Sequence, residues 1–142
     1  MNTTLKKKDD GFTIIEVVLV LAIAGLIFLI VFLALPQLQA SRRDTQRKND
    51  ASRLVAGVEN YAGNNSGQYP GSIDQAWVDA NISGGLISPD GAGYTYDGSV
   101  DDVNDMHYTL GSLCPGAPGS ASGRNFNVQV KLENGTYCQD NQ

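Results

Sequence analysis

The pattern of hydrophobic and polar positions begins with a polar stretch that ends at Gly11. Residues 12–35 then form an apolar run of 24 residues whose only charged side chain is Glu16. A bilayer core needs about 20 helical residues, so this run is long enough to span a membrane. It is longer than the hydrophobic part of a cleaved secretory signal, which has about 7–15 residues. The pattern therefore predicts a transmembrane helix over residues 12–35.

Beyond Pro36 the pattern becomes amphipathic, and it predicts that the same helix continues to residue 62. The charged section from Arg42 to Asp50 is interpreted as solvated or as facing another subunit. Gly25 and Pro36 are the predicted sites of a break, because glycine is a weak helix former and proline lacks the backbone donor. The apolar stripe of the second half is formed by Leu54, Val55, Val58, Tyr61 and Ala62.

Residues 63–142 have the short periodic segments of a small globular headpiece. Ser72 and Gln75 have the spacing of a capping box, which predicts a short helix to about Asn81. Alternating or β-rich segments predict strands near 94–96, 106–110 and 126–132, and Asn134-Gly135 predicts a tight type I′ turn into a last strand. The predicted fold is α+β, with a long N-terminal helix packed on a small C-terminal antiparallel β-sheet.

The charge of the chain is unevenly distributed. Ten Lys/Arg against fifteen Asp/Glu give a net charge of −5, and five of the basic residues lie between residues 42 and 53. The remaining headpiece is strongly acidic. An anionic domain is a poor partner for a polyanion, so no specific nucleic acid is expected as a partner.

No catalytic pattern is present in the sequence. His107 is the only histidine, and no nucleophile motif, phosphate-binding loop or paired-carboxylate signature accompanies it. A structural role for His107 is therefore expected, and the chain is not expected to be an enzyme.

The start of the apolar run resembles the prepilin signal of type IV pilins and pseudopilins. Three lysines (residues 6–8) and two aspartates precede Gly11, and Phe12-Thr13-Ile14-Ile15-Glu16 follows it. The resemblance implies that residues 1–11 are a leader, that a prepilin peptidase cuts between Gly11 and Phe12, and that the new N-terminal Phe12 is N-methylated. It also implies a type IV pilin fold and a role for Glu16 in assembly with neighbouring subunits.

The two cysteines are expected to form a disulfide, Cys114 with Cys138. An even cysteine count in an exported region favours pairing, and no Cys/His cluster offers a zinc site instead. The resemblance places the headpiece outside the cytoplasm. The Lys/Arg counts on the two sides of the apolar run do not by themselves fix the orientation.

Residues 97–105 are rich in oxygen ligands, and some pseudopilins hold calcium in this part of the chain. Asp97, Asp101 and Asp105, with Ser99, match positions 1, 5, 9 and 3 of a calcium loop, but the expected glycine and the final acid are replaced by Asp102 and Tyr108. A solvated acidic loop is the favoured interpretation, with calcium as the alternative. No other cofactor is expected.

The function implied by the resemblance is structural. The chain is expected to be a single-pass inner-membrane precursor that becomes the major pilin of a type IV pilus, a surface filament serving adhesion, twitching motility or DNA uptake. Its partners would be identical or related pilin subunits, the prepilin peptidase and the pilus assembly platform. Two alternatives stay open: a pseudopilin of a type II secretion or competence system, and a signal-anchored monomer that binds calcium or another ligand.

Overall fold

A computed structural model describes residues 11–119 and 122–142. Of the leader predicted over residues 1–11, all but Gly11 lies outside the described residues. The described chain forms two compact units, one ending at Gln39 and one spanning Ala40–Gln142. Each unit is described by itself below.

Helix α1 spans Ile14–Asn64. It passes through Gly25 and Pro36 as one continuous helix, as predicted for the chain beyond Pro36, and the kink or melting expected at these two residues stays a prediction. The helix can continue because each of the two residues carries only a local cost. A helical glycine costs about 1 kcal/mol and a proline about 3 kcal/mol, and the hydrogen bonds on either side remain. The end of the helix lies two residues beyond the predicted one.

The unit ending at Gln39 exposes its apolar side chains. An 18-residue window of α1 near the N-terminus is long and apolar enough to cross a membrane, and none of that window is buried. Phe12 is 90% exposed and Phe32 is 80% exposed. A surface of this kind requires an apolar partner, which lipid or another apolar helix can supply.

The headpiece sheet has three antiparallel strands in the order β1-β2-β3. They span Met106–Leu110, Phe126–Leu132 and Gly135–Asp140. The predicted strand at 94–96 is wrong, because this segment makes only one isolated bridge, between Thr95 and Asp105. This bridge is parallel and is not part of the antiparallel sheet, and the segment is bounded by left-handed glycines at 91 and 98.

The turn between β2 and β3 differs from the predicted type I′ turn. Leu132 pairs with Gly135, so the two loop residues are Glu133 and Asn134. A type I′ turn requires positive φ at both. Only Gly135 has positive φ here, at 101°. One left-handed glycine after the loop is the arrangement of a type I turn followed by a bulge, so the sequence identified the hairpin but not its turn type.

The short helix α2 spans Gln75–Asn81, and its N-cap is Asp74. The Asp74 carboxylate accepts the Trp77 backbone N–H at 2.8 Å. The N-cap of α2 is therefore Asp74, two residues after Ser72, which the capping-box spacing predicted. Asp is as good an N-cap as Ser, and here it satisfies the N–H three positions on.

The core lies between the sheet and the part of α1 after Ala40. The sheet contributes one of its faces to the core. On that face Tyr108 lies opposite Val128, and Met106 lies opposite Val130. Gly57 of α1 permits a close approach, because a Cβ there would lie 2.9 Å from Ile82 Cγ1. Four residues of the predicted stripe are buried, and Tyr61 is half-buried. The helix contributes Ala51, Leu54, Val55 and Val58 to the core cluster.

Candidate processing and assembly site

The predicted cleavage site lies in open space at the start of α1. Gly11 and Phe12 precede the helix and are both exposed. A side chain added at Gly11 would meet nothing within 4 Å. The described part of the chain therefore leaves space for a side chain at position 11, next to the predicted cleavage bond.

Glu16 closes a reciprocal cap with Thr13. The Thr13 backbone N–H and hydroxyl donate to Glu16 Oε2 at 2.9 and 2.8 Å, and the Glu16 N–H donates to Thr13 Oγ1 at 3.4 Å. This is the geometry of a capping box, in which two otherwise unpaired N–H groups at a helix N-terminus are satisfied. The carboxylate is thereby held at the helix end that favours negative charge.

Thr13 is a site residue that the sequence reasoning missed. The signal was present, since Thr13-Ile14-Ile15-Glu16 has the Ser/Thr-x-x-Glu spacing just before an apolar run. The resemblance drew attention to Glu16 alone. The structure adds the residue that orients it.

The interpretation of Arg42 to Asp50 as wholly solvated or subunit-facing is wrong for Arg47, which is only 2% exposed. Its Nε donates to the Val103 carbonyl at 2.9 Å, and its Nη1 lies 3.1 Å from Asp44 and 3.4 Å from Glu133. Arg43 binds the same Glu133 carboxylate at 2.8 Å. This hydrogen bond, supported by Arg47, lowers the pKa of Glu133.

Asp50 is the second buried charge of this helix section, at 5% exposure. It accepts a hydrogen bond from the Tyr94 hydroxyl at 2.9 Å, and Arg53 Nη1 lies 3.4 Å from it. Burial, with the Asp50 charge beside it, raises the pKa of Tyr94. Buried charges need partners of this kind. Arg47 and Asp50 thus fasten the helix to two different loops of the headpiece.

The structure does not bring the three proposed calcium ligands together. Asp97 accepts from the Ser99 N–H and hydroxyl, whereas Asp105 accepts the backbone N–H groups of Asp101 and Asp102 at 3.0 and 2.6 Å. Within residues 11–119 and 122–142, no group of three or more His, Cys, Asp or Glu side chains converges as a metal site. Asp105 serves instead as a clamp that shapes the loop.

Cys114 and Cys138 form the predicted disulfide, with their Cα atoms 5.8 Å apart. Cys138 lies on β3 opposite Gln129 of β2, on the sheet face that does not contact α1. The bond ties the segment after β1 to that face. The Cys114 N–H also donates to Asp140 Oδ2 at 3.3 Å.

Comparison with known proteins finds a match at the N-terminal segment that contains the predicted cleavage site. Residues 6–32 match the family model described as the prokaryotic N-terminal methylation motif. The matched segment includes Gly11, Phe12, Glu16 and most of the exposed apolar run. No curated protein and no solved structure matches the chain. The match is confined to residues 6–32, and it supports a type IV pilin-like prepilin signal at the start of this chain.

Proposed function

We propose that this chain is the structural subunit of a type IV pilus, its major pilin. The observation that carries the proposal is the segment after Gly11, which joins an accessible cleavage position, one acid and a fully exposed apolar helix. A membrane anchor alone needs the apolar run but has no use for the acid, which costs free energy in hydrocarbon. The folded headpiece after Ala40 is the part that a filament would display.

The proposed chemistry starts with removal of the leader. Hydrolysis of the bond between Gly11 and Phe12 releases a free α-amino group on Phe12, which is positive at neutral pH and stays so after N-methylation. In an apolar environment, a buried carboxylate and a buried ammonium group both need a counter-charge. The Phe12 amine of one subunit therefore neutralises Glu16 of the next.

Thr13 orients the Glu16 carboxylate for pairing with that amine. Its two donors occupy one carboxylate oxygen, Oε2. The carboxylate can accept further hydrogen bonds at its second oxygen. A pair with the Phe12 amine of the same chain is the alternative, since Phe12 directly precedes Thr13, whose backbone N–H already binds the Glu16 carboxylate. The exposed apolar side chains of residues 14–35 then pack against those of neighbouring helices.

The test is electron microscopy of sheared surface filaments from a strain lacking the gene and complemented with the parent chain or with Glu16→Leu. The parent chain should restore filaments. Glu16→Leu should insert and be cleaved normally, because it makes the helix more apolar, but it should give no filaments. When both chains are co-expressed, few Glu16→Leu subunits should be found in the filaments.

Two outcomes would redirect the proposal. Normal filaments built from Glu16→Leu alone would remove the inter-subunit role of Glu16. A parent chain that is cleaved and N-methylated, yet never forms surface filaments while supporting protein secretion or DNA uptake, would indicate a pseudopilin instead.

A further inference from the structure

The basic section of α1 contains cations that are bound within the chain and one that is not. Most of its cations have partners in their own headpiece. Arg43 binds Glu133, and Arg47 binds Glu133 and the Val103 carbonyl. Arg53 binds Asp50 and the carbonyls of Ser83 and Gly85, and Lys48 lies over the ring of Tyr137. Arg42 is exposed, and it forms no ion pair with any residue that the structure describes.

The position of Arg42 on the helix explains why it has no internal partner. Arg47 points into the headpiece, where it is buried. Successive helical residues turn by about 100°, so Arg42, five residues earlier, points about 140° away from Arg47. Arg42 is therefore directed away from its own headpiece. A partner for it has to come from another molecule.

The headpiece offers carboxylates that are equally uncompensated. Asp101 and Asp102 are exposed, and within the described part of the chain no cation lies within ion-pair distance of either. Their backbone is fixed, because Asp105 accepts both of their N–H groups and Arg47 Nε holds the neighbouring Val103 carbonyl. The two carboxylates are thus presented to solvent from an ordered loop.

We propose that Arg42 of one subunit docks against the Asp101–Asp102 edge of a second copy of this chain. The inference rests on the proposed function, since it places this contact between neighbouring subunits of the filament. Two different patches that complement each other form a head-to-tail interface, and such an interface, where its rotation does not close into a ring, generates an open helical array. Charge pairs of this kind set register and partner choice more than strength.

The occupant is a second copy rather than a lipid surface or nucleic acid because of the surrounding charge. Residues 40–142 contain twelve Asp/Glu against seven Lys/Arg, so the headpiece as a whole repels polyanions. Three of the seven cations, Arg43, Arg47 and Arg53, are already engaged by carboxylates of the same chain. Within the described part of the chain, Arg42 is the one cation of the basic section without an ion pair or an aromatic partner, and two carboxylates on a neighbour match it better than an anionic membrane does.

The experiment is a charge swap in the full chain, expressed in the strain that lacks the gene. The variants are Arg42→Glu, the pair Asp101→Lys with Asp102→Lys, and all three substitutions together. Arg124→Glu is the control, because Arg124 is exposed and its substitution makes the same charge change at a different place on the surface. The readouts are the amount of sheared filament and the amount of cleaved, disulfide-bonded subunit in the membrane.

Arg42→Glu should lower the filament yield about five-fold, the upper range for one exposed ion pair, with the membrane pool unchanged. The aspartate pair should do the same. The triple variant should return to within about two-fold of the parent chain, and Arg124→Glu should match the parent. Parent-like filaments from Arg42→Glu, or a triple variant no better than Arg42→Glu, would overturn the contact while leaving the filament proposal intact. A parent chain without filaments would overturn both.

Discussion

The two halves of α1 use the same backbone in opposite ways. From Ile14 to Gln39 the apolar side chains are exposed, with Leu29 at 60% and Leu33 at 71%. From Ala40 to Asn64 the helix buries a strip on the headpiece, and that strip includes the charged residues Arg47 and Asp50. The first half carries no charge after Glu16, and its side chains are exposed. The second half carries charges, and one of its faces is buried.

The difference shows that burial follows the available partner and not the hydrophobicity of the side chain alone. The first half has no partner among the residues that the structure describes, so its apolar surface is suited to lipid or to neighbouring helices. The second half meets a headpiece whose loops present a carbonyl, carboxylates and a tyrosine hydroxyl. Charged groups can be buried there because each finds a hydrogen-bonding partner.

The largest expected effect concerns the first half alone. Gly11→Leu should leave the uncut precursor in the membrane, because we expect a narrow protease subsite that fits glycine and excludes a branched side chain. The chain itself has open space at this position, so the headpiece should still fold and form its disulfide. Gly25→Ala, which also meets open space, is the matched control and should be cleaved normally. Intact mass decides the outcome, and a Gly11→Leu chain that begins at Phe12 would contradict the prediction.

The next effect concerns the headpiece on which the second half of α1 packs. Replacing both Cys114 and Cys138 by Ser should lower the free energy of unfolding of the headpiece by about 3 kcal/mol, because the bond closes a loop with a sequence separation of 24. Urea unfolding of the detergent-solubilised chain, followed by near-UV circular dichroism, measures it. A reductant should lower the free energy of unfolding of the parent chain by the same amount and leave that of the double variant unchanged. Two reactive thiols per chain in the unreduced, denatured parent would rule out the pairing.

Arg47→Met tests whether the buried charge stabilises the headpiece. The variant leaves the Val103 carbonyl without its donor and removes one of the two cations at Glu133. Asp44 and Glu133 keep some contact with water, so the loss of stability should be about 2 kcal/mol. Arg42→Met removes an exposed cation of the same helix and should stay within about 0.5 kcal/mol of the parent chain. Equal unfolding midpoints for the two variants would show that the Arg47 network is dispensable.

The sequence predicted those features that depend on local periodicity or on composition. The alternation in residues 126–132 marks β2, the stripe from Leu54 to Ala62 marks the buried helix face, and the even cysteine count marks the disulfide. The cleavage site and Glu16 came from a motif, and that motif matches the chain over residues 6–32. Each of these signals lies within a short stretch of chain.

The features that the sequence did not predict depend on partners far away in the chain. Arg47 is buried because Val103 and Glu133 supply acceptors 56 and 86 residues further on. A weak signal did exist, since Arg47 and Ala51 extend the face of Leu54 and Val58 backwards at helical spacing. A charged residue at such a position was read as solvated, because sequence alone does not show which loop will meet it.

The smallest expected effect is a loss of headpiece stability in alkali, and Tyr108 carries its clearest signal. Burial raises the pKa of the Tyr108 hydroxyl to about 12, and its hydroxyl donates to the Pro70 carbonyl at 2.9 Å. Burial also raises the pKa of Tyr96 and, with Asp50 beside it, that of Tyr94. In the unfolded chain all three tyrosines ionise near pH 10, so the folded state favours their neutral forms. Their contribution is therefore complete below about pH 10 and is lost as the pH rises toward 12.

The melting temperature of the detergent-solubilised chain should accordingly stay level from about pH 7 to 9 and fall above about pH 10. Tyr108→Phe should cost about 1 kcal/mol at neutral pH, because the Pro70 carbonyl loses its donor, and its decline in alkali should be shallower than that of the parent chain. Tyr137→Phe, at a half-buried tyrosine of β3 whose hydroxyl makes only a long contact of 3.4 Å to Gln139, is the matched control and should follow the parent curve. If the folded parent chain shows a larger tyrosinate absorbance change than Tyr108→Phe near pH 10 and the same change near pH 12, Tyr108 ionises at its ordinary pH, and the headpiece does not hold its hydroxyl neutral.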